Sequence, residues 1–133
     1  MTVQLSVTMR NNMVGQYETT VGTAPLLRFY TGAQPADCAT APSGTLIGTI
    51  TLPSDWMTAP SAGAVAKSGT WTTTAVATGT IGYYRLYDST GTTCHEQGSC
   101  GTSGTDIVLD SNVVNSIGQN ITVTTWTATQ GGA

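Results

Sequence analysis

Three side chains able to do chemistry, Cys94, His95 and Cys100, fall within one short stretch of this 133-residue chain. Two thiols and an imidazole suggest zinc, which takes four ligands in structural sites and three plus water in catalytic ones. Cys38 would supply a third sulfur. In an extended segment, however, neighbours such as Cys94 and His95 point to opposite faces. The expectation is therefore no metal and no cofactor. The stretch 94–100 also fits a hairpin with a Glu96-Gln97-Gly98 loop, Gly98 taking the left-handed position. That register sets His95 against Ser99 and Cys94 against Cys100, with Cα atoms about 4.5–5.5 Å apart and within disulfide reach. A bond there would close a very small loop and stabilise little. Two readings stay open: a Cys94–Cys100 disulfide, or two reduced cysteines that simply pack, the plainer of the two. An odd total of three cysteines is no disulfide framework.

Nucleophilic catalysis needs a base and an orienting acid beside the nucleophile. His95 is the only histidine, and no Gly-x-Ser-x-Gly elbow occurs. Neither Cys38 nor Cys94 stands in a context that lowers a thiol pKa. Carboxylate pairs for glycoside hydrolysis could be drawn from Asp106 and Asp110, or from Asp55 and Glu96. The first pair flanks a strand, where acids commonly form turns. Phosphate loops, dinucleotide fingerprints and calcium loops are absent. The chain is not expected to be an enzyme.

Aromatic residues are the remaining functional signal. Trp56 stands in Leu-Pro-Ser-Asp-Trp-Met, close to turn residues, whereas Trp71 and Trp126 lie in threonine-rich strands. Core or half-buried positions are the simplest reading of all three. The functional alternative has Trp56 and Met57 anchoring a protein contact, or Trp56 and Tyr83 stacking on a sugar. Val3, Leu5 and Val7 alternate with polar residues, as in a short strand or an arm over residues 1–8 that pairs with another chain.

The elements that must position these residues follow from composition and period. Only 8% of the chain is charged, against about a quarter in ordinary domains. Threonine, with 27 residues, and glycine, with 16, take that space. Threonine resists helix and keeps an exposed sheet face wet. Four scattered basic residues (Arg10, Arg28, Lys67, Arg85) and a net charge of −3 argue against nucleic acid. Apolar runs are too short for a membrane span or an export signal. Synthesis in a reducing cytosol is the default.

Residues 8–21 read as one helix, with Met9, Met13, Tyr17 and Val21 on its buried face, Thr8 as cap and Gly22 as stop. From Pro25 the period changes to two. Strands are predicted at 26–31, 45–52, 70–78, 81–88, 92–96, 99–102, 106–109 and 120–129, separated by turn signals such as Asp88-Ser89-Thr90-Gly91. The segment 81–87 is bulky on both faces, which predicts a central strand or one covered by a partner. The expectation is a single mainly-β domain, an antiparallel β-sandwich or jelly-roll over residues 25–129 with one short N-terminal helix. Size scaling predicts a folded surface of about 6,600 Å².

Two blocks carry a resemblance. One is Leu-Leu-Arg-Phe-Tyr-Thr-Gly-Ala-Gln-Pro (26–35) with Gly-Thr-Leu-Ile-Gly-Thr-Ile-Thr-Leu-Pro-Ser-Asp-Trp (44–56). The other is Tyr-Tyr-Arg-Leu-Tyr-Asp-Ser-Thr-Gly-Thr-Thr-Cys-His-Glu-Gln-Gly-Ser (83–99), followed by the 106–110 strand and the closing Ile-Thr-Val-Thr. Over residues 10–129 the chain resembles small virion structural proteins of tailed bacteriophages. The resemblance implies a virion component, foremost a capsid cement (decoration) protein on the head surface. Such a protein bridges major capsid protein subunits as a dimer or trimer, after synthesis in the host bacterial cytoplasm. The alternative is a tail or neck adaptor, or a sugar-binding tail-fibre component. No functional residue transfers from the group onto a numbered position.

Overall fold

The computed structural model describes residues 3–133; the first two residues of the expected 1–8 arm lie outside the described residues. Its accessible surface is 6643 Å², the value that size scaling predicts for one domain. Helix α1 spans Val7–Val21. Nine strands follow: β1 (Leu26–Thr31), β2 (Leu46–Thr51), β3 (Ala64–Ala66), β4 (Thr72–Thr74), β5 (Gly79–Tyr87), β6 (Cys94–Gly101), β7 (Ile107–Leu109), β8 (Val113–Val114) and β9 (Asn120–Thr129). The protein is mainly β with one short helix.

The start of α1 is set by Ser6 rather than Thr8. The Ser6 hydroxyl accepts from the Met9 N–H at 3.1 Å, satisfying one of the free donors of the first turn. Gly22, at φ 88°, ends the helix and donates its N–H to the Glu18 carbonyl at 3.0 Å. The inward stripe is Arg10, Val14 and Val21, all buried, with Tyr17 half-buried beside them, while Met9 and Met13 are exposed. Spacings of four, three and four return to one face. The expected Met9-Met13-Tyr17-Val21 series steps by four each time and drifts about 40° per step. Arg10 hid the true stripe, because a charged residue masks an apolar period. Its stem is buried while Nη1 donates to the Ala62 carbonyl at 3.0 Å.

The strands form one curled sheet in the order β2-β1-β5-β6-β7-β9-β3, with β4 also on β9 and β8 on β5. All pairs are antiparallel except β6–β7, which is parallel, so the sheet is mixed rather than wholly antiparallel. Register shifts at Phe29/Tyr30, Tyr30/Thr31, Leu86/Tyr87 and Val108/Leu109 sharpen its twist. The curl brings the segment after β4 back to the first edge, where the Val76 N–H donates to Ile47 O at 2.8 Å. Inside this half-barrel lie Leu27, Phe29, Ile47, Ile50, Leu86, Ile107, Ile121 and Val123 around three tryptophans.

One glycine permits the tightest crossing. A Cβ on Gly82 would collide with the carbonyl oxygen of Gly32, a backbone atom that cannot swing away. Gly82→Ala is expected to cost about 3 kcal/mol as the strands are forced apart. A lowered urea midpoint with the far-UV CD spectrum retained in water is the measurement that checks it.

The predicted hairpin at 94–100 does not form. Residues 94–101 run as one strand, with Gly98 opposite Tyr84 on β5. Gly98 is small because a Cβ there would press on the Tyr84 ring and the Asp106 carboxylate, not because a turn requires it. Cys94 and Cys100 thus stand six residues apart on one strand, about 20 Å at 3.3 Å per residue, and cannot be bonded to each other. The actual hairpin joins β5 to β6 through Asp88-Ser89-Thr90-Gly91, where the Gly91 N–H donates to Asp88 O at 3.0 Å. The strand predicted over 70–78 contracts to β4, and the short β3 and β8 lacked a readable period.

Candidate functional site on the covered face of the central strand

Strand β5 is central, between β1 and β6, and alternation gives it two different faces. Tyr84 and Leu86 point into the half-barrel, beside Glu96 and Gly98 of β6. Tyr83, Arg85 and Tyr87 point out, opposite Ser99, Gln97 and Cys94 of β6 and Tyr30, Arg28 and Leu26 of β1. All three are nonetheless buried. The cover is the chain's own connection between β1 and β2, residues 32–45.

Specific side chains tie this connection down. The Tyr83 hydroxyl donates to Ser43 O at 2.5 Å and accepts from Ser43 N at 3.0 Å. Gln97 Nε2 donates to Pro35 O at 2.8 Å. Arg85, only 2% exposed, donates from Nη2 to the carbonyls of Asp37 (3.1 Å) and Thr40 (2.6 Å). Asp37 Oδ1 accepts from the Thr40 N–H and hydroxyl, each at 2.8 Å, closing the same turn. Those bonds to Thr40 hold the Asp37 carboxyl below the usual carboxylate range. Under this turn the Sγ atoms of Cys38 and Cys94 lie 2.7 Å apart. Around it, Tyr30 stacks on Tyr83 with centroids 5.2 Å apart, and the Arg28 guanidinium sits 4.8 Å from the Tyr87 ring centroid.

The inner face has its own polar centre. Glu96 Oε1 accepts from the Tyr17 hydroxyl at 2.8 Å. Its Oε2 accepts from the Tyr84 hydroxyl at 2.9 Å and from Trp126 Nε1 at 3.2 Å. One carboxylate thereby links α1, β5 and β9. Trp56, Trp71 and Trp126 pack on one another with centroids 5.5–6.3 Å apart. The indole N–H groups of Trp56 and Trp71 reach Gly22 O and Ser68 O, both at 3.0 Å.

These placements decide several expectations. Trp56, Met57 and Tyr83 are buried, so they cannot anchor a partner or stack on a sugar. The turn signals near Trp56 misled, because a loop residue can fold inward where it fills a core. None of the nine aromatic residues is exposed. Val3 is exposed at 70%, but Val7 begins the helix. The Leu5 N–H donates to Gly132 O at 2.6 Å, so this segment is tied to the other end of its own chain. Asp106 accepts from the Ser99 N–H (2.9 Å) and hydroxyl (3.0 Å) as a structural cap. Asp110 likewise accepts from the N–H groups of Ser111 (2.8 Å) and Thr122 (3.2 Å). Among the described residues no group of three or more His, Cys, Asp or Glu converges as a metal site would require, and the surface carries no pocket. No helix there is long and apolar enough to cross a membrane.

The sequence reading missed the Cys38–Cys94 contact and the Glu96 centre. One signal was available for the first. The bulk on both faces of 81–87 required a cover, and the connection at 32–45 is the long one next to it. Compared with protein-family models, with curated proteins and with solved structures, the chain matches none.

Proposed function

We propose that this chain is a non-catalytic virion structural protein of a tailed bacteriophage, a capsid cement or decoration protein that stabilises the head lattice by bridging major capsid protein subunits. It acts as a dimer or trimer on the capsid surface and engages neither nucleic acid nor membrane. The observation that carries the reading is the surface itself. It has no pocket among the described residues, no exposed aromatic residue, few charges and a threonine-rich exterior. Such a body offers area and backbone rather than a cavity, and many copies on a lattice compensate for modest contacts. The exposed Met9 and Met13 of α1 with Val3 and Val7 supply adaptable apolar contacts of the kind an interface uses. A sugar-binding tail fibre loses support, since the aromatic residues that would form its platform are in the core.

Quantitative mass spectrometry of purified virions tests the reading. The expected copy number is one per major capsid subunit or a fixed simple fraction of it. A handful of copies per particle would assign the chain to tail or neck, and absence from particles would end the virion reading.

A further inference from the structure

We infer that Cys38 and Cys94 form an oxidisable pair, a modification site for oxidants of the disulfide class that closes a covalent strap between the 32–45 connection and β6. The inference concerns the chain itself and does not rest on the capsid reading. Its basis is geometric. The two sulfurs are 2.7 Å apart although their residues are 56 positions apart in sequence. That approach is imposed by neighbouring bonds. Arg85 grips the carbonyls of Asp37 and Thr40, on either side of Cys38, and Gln97 grips Pro35. The turn carrying Cys38 is therefore pinned to the strand next to the one carrying Arg85, and that strand carries Cys94. Both thiols are half-buried, within reach of a small reagent, whereas Cys100 is buried in the core on the opposite face. Cys100 is thus an internal control.

The chemistry balances as two thiol–disulfide exchanges. Cys38, as thiolate, attacks one sulfur of a small disulfide and releases one small thiolate, leaving a mixed disulfide on Cys38. Cys94 then loses its proton to solvent and attacks the Cys38 sulfur, expelling the second small thiolate. Two protein thiols are oxidised to one disulfide, and the reagent is reduced to two thiols. Burial, with Cys38 facing it, pushes the Cys94 thiol up to about 12, while the Arg85 guanidinium pulls the other way. That shift keeps Cys94 protonated and disfavours it for the first attack; its place is the second, intramolecular step, where contact with Cys38 offsets the scarcity of its thiolate.

The reduced full-length chain, incubated with oxidised glutathione, alkylated after denaturation and mapped by mass spectrometry, provides the test. Free thiols should fall from three to one, with a single Cys38–Cys94 cross-linked peptide and Cys100 alkylated. The melting temperature should rise by roughly 10 °C, since a long loop becomes closed in the unfolded chain. In Cys94→Ser the reaction should stop at one glutathione on Cys38, with no gain in melting temperature. Three thiols remaining in the wild-type chain would overturn the proposal. So would glutathione standing separately on Cys38 and Cys94, or a cross-link that includes Cys100. These wild-type outcomes decide the matter even where a variant folds poorly.

Discussion

Trp56→Ala is expected to remove about 4 kcal/mol of stability, a large share of the 5–15 kcal/mol typical of a single domain. Trp56 is fully buried, and its ring packs against both Trp71 and Trp126. Truncation leaves a void that the two remaining rings cannot close, because each is held by its own indole N–H bond, to Ser68 O and to Glu96. It also leaves Gly22 O without its donor, an unpaired polar group at the end of α1. The helix would then lose its C-terminal anchor together with the packing beneath it. Trp56→Phe separates the two terms: most of the volume returns while the N–H does not, and a loss of about 1–2 kcal/mol is expected. Urea unfolding followed by far-UV CD gives both values. Equal midpoints for Trp56→Ala and the wild-type chain would mean that Trp56 lies outside the core.

The same residue shows where the sequence is legible and where it is not. Strands with clean alternation announce themselves, and β1 and β9 carry the predicted bounds 26–31 and 120–129. Ile121 and Val123 of β9 face inward as the period requires, whereas Trp126, three positions further on, faces inward because the β7–β9 register shifts between Val123 and Thr125. Trp56 has no period to declare it, since it lies between β2 and β3. Only the curl of the sheet, a long-range property, turns it inward. Glu96 and Gln97 misled for a related reason. A Glu-Gln-Gly run reads as a turn because polar residues usually face water, yet here each side chain has a buried task. Glu96 gathers three donors inside, and Gln97 holds the covering connection outside. Cys38 and Cys94 illustrate the strongest limit. Local register assigned Cys94 to the nearest cysteine, Cys100. Its neighbour in space comes from a connection that only the second, bulky face of β5 calls into place.

The buried tyrosines make stability fail at high pH, which is the second large effect. Burial pushes the Tyr84 hydroxyl far above its ordinary value of 10, and the Glu96 carboxylate adds to it. Tyr17 is raised in the same order of causes, burial first and Glu96 second. Tyr30 is pushed up to about 12, chiefly by burial, with Tyr87 adding and Arg28 opposing. In each case the unfolded chain releases its proton near pH 10 while the folded chain still holds it. Stability from these groups is therefore complete below pH 10 and falls as pH rises beyond it. For Tyr30 the loss runs from pH 10 to about 12. Cys94 adds the same sign from pH 9 to about 12. Paired titrations of tyrosinate absorbance and far-UV ellipticity check this: part of the absorbance should appear only as ellipticity is lost. Tyrosinate formed in full near pH 10 with ellipticity intact would refute the burial of Tyr17, Tyr30 and Tyr84. Glu96→Gln distinguishes the causes. Because burial outweighs the carboxylate in both Tyr17 and Tyr84, the variant should unfold more easily at neutral pH, where a three-donor acceptor is lost. It should still withhold those tyrosines from titration for as long as it remains folded.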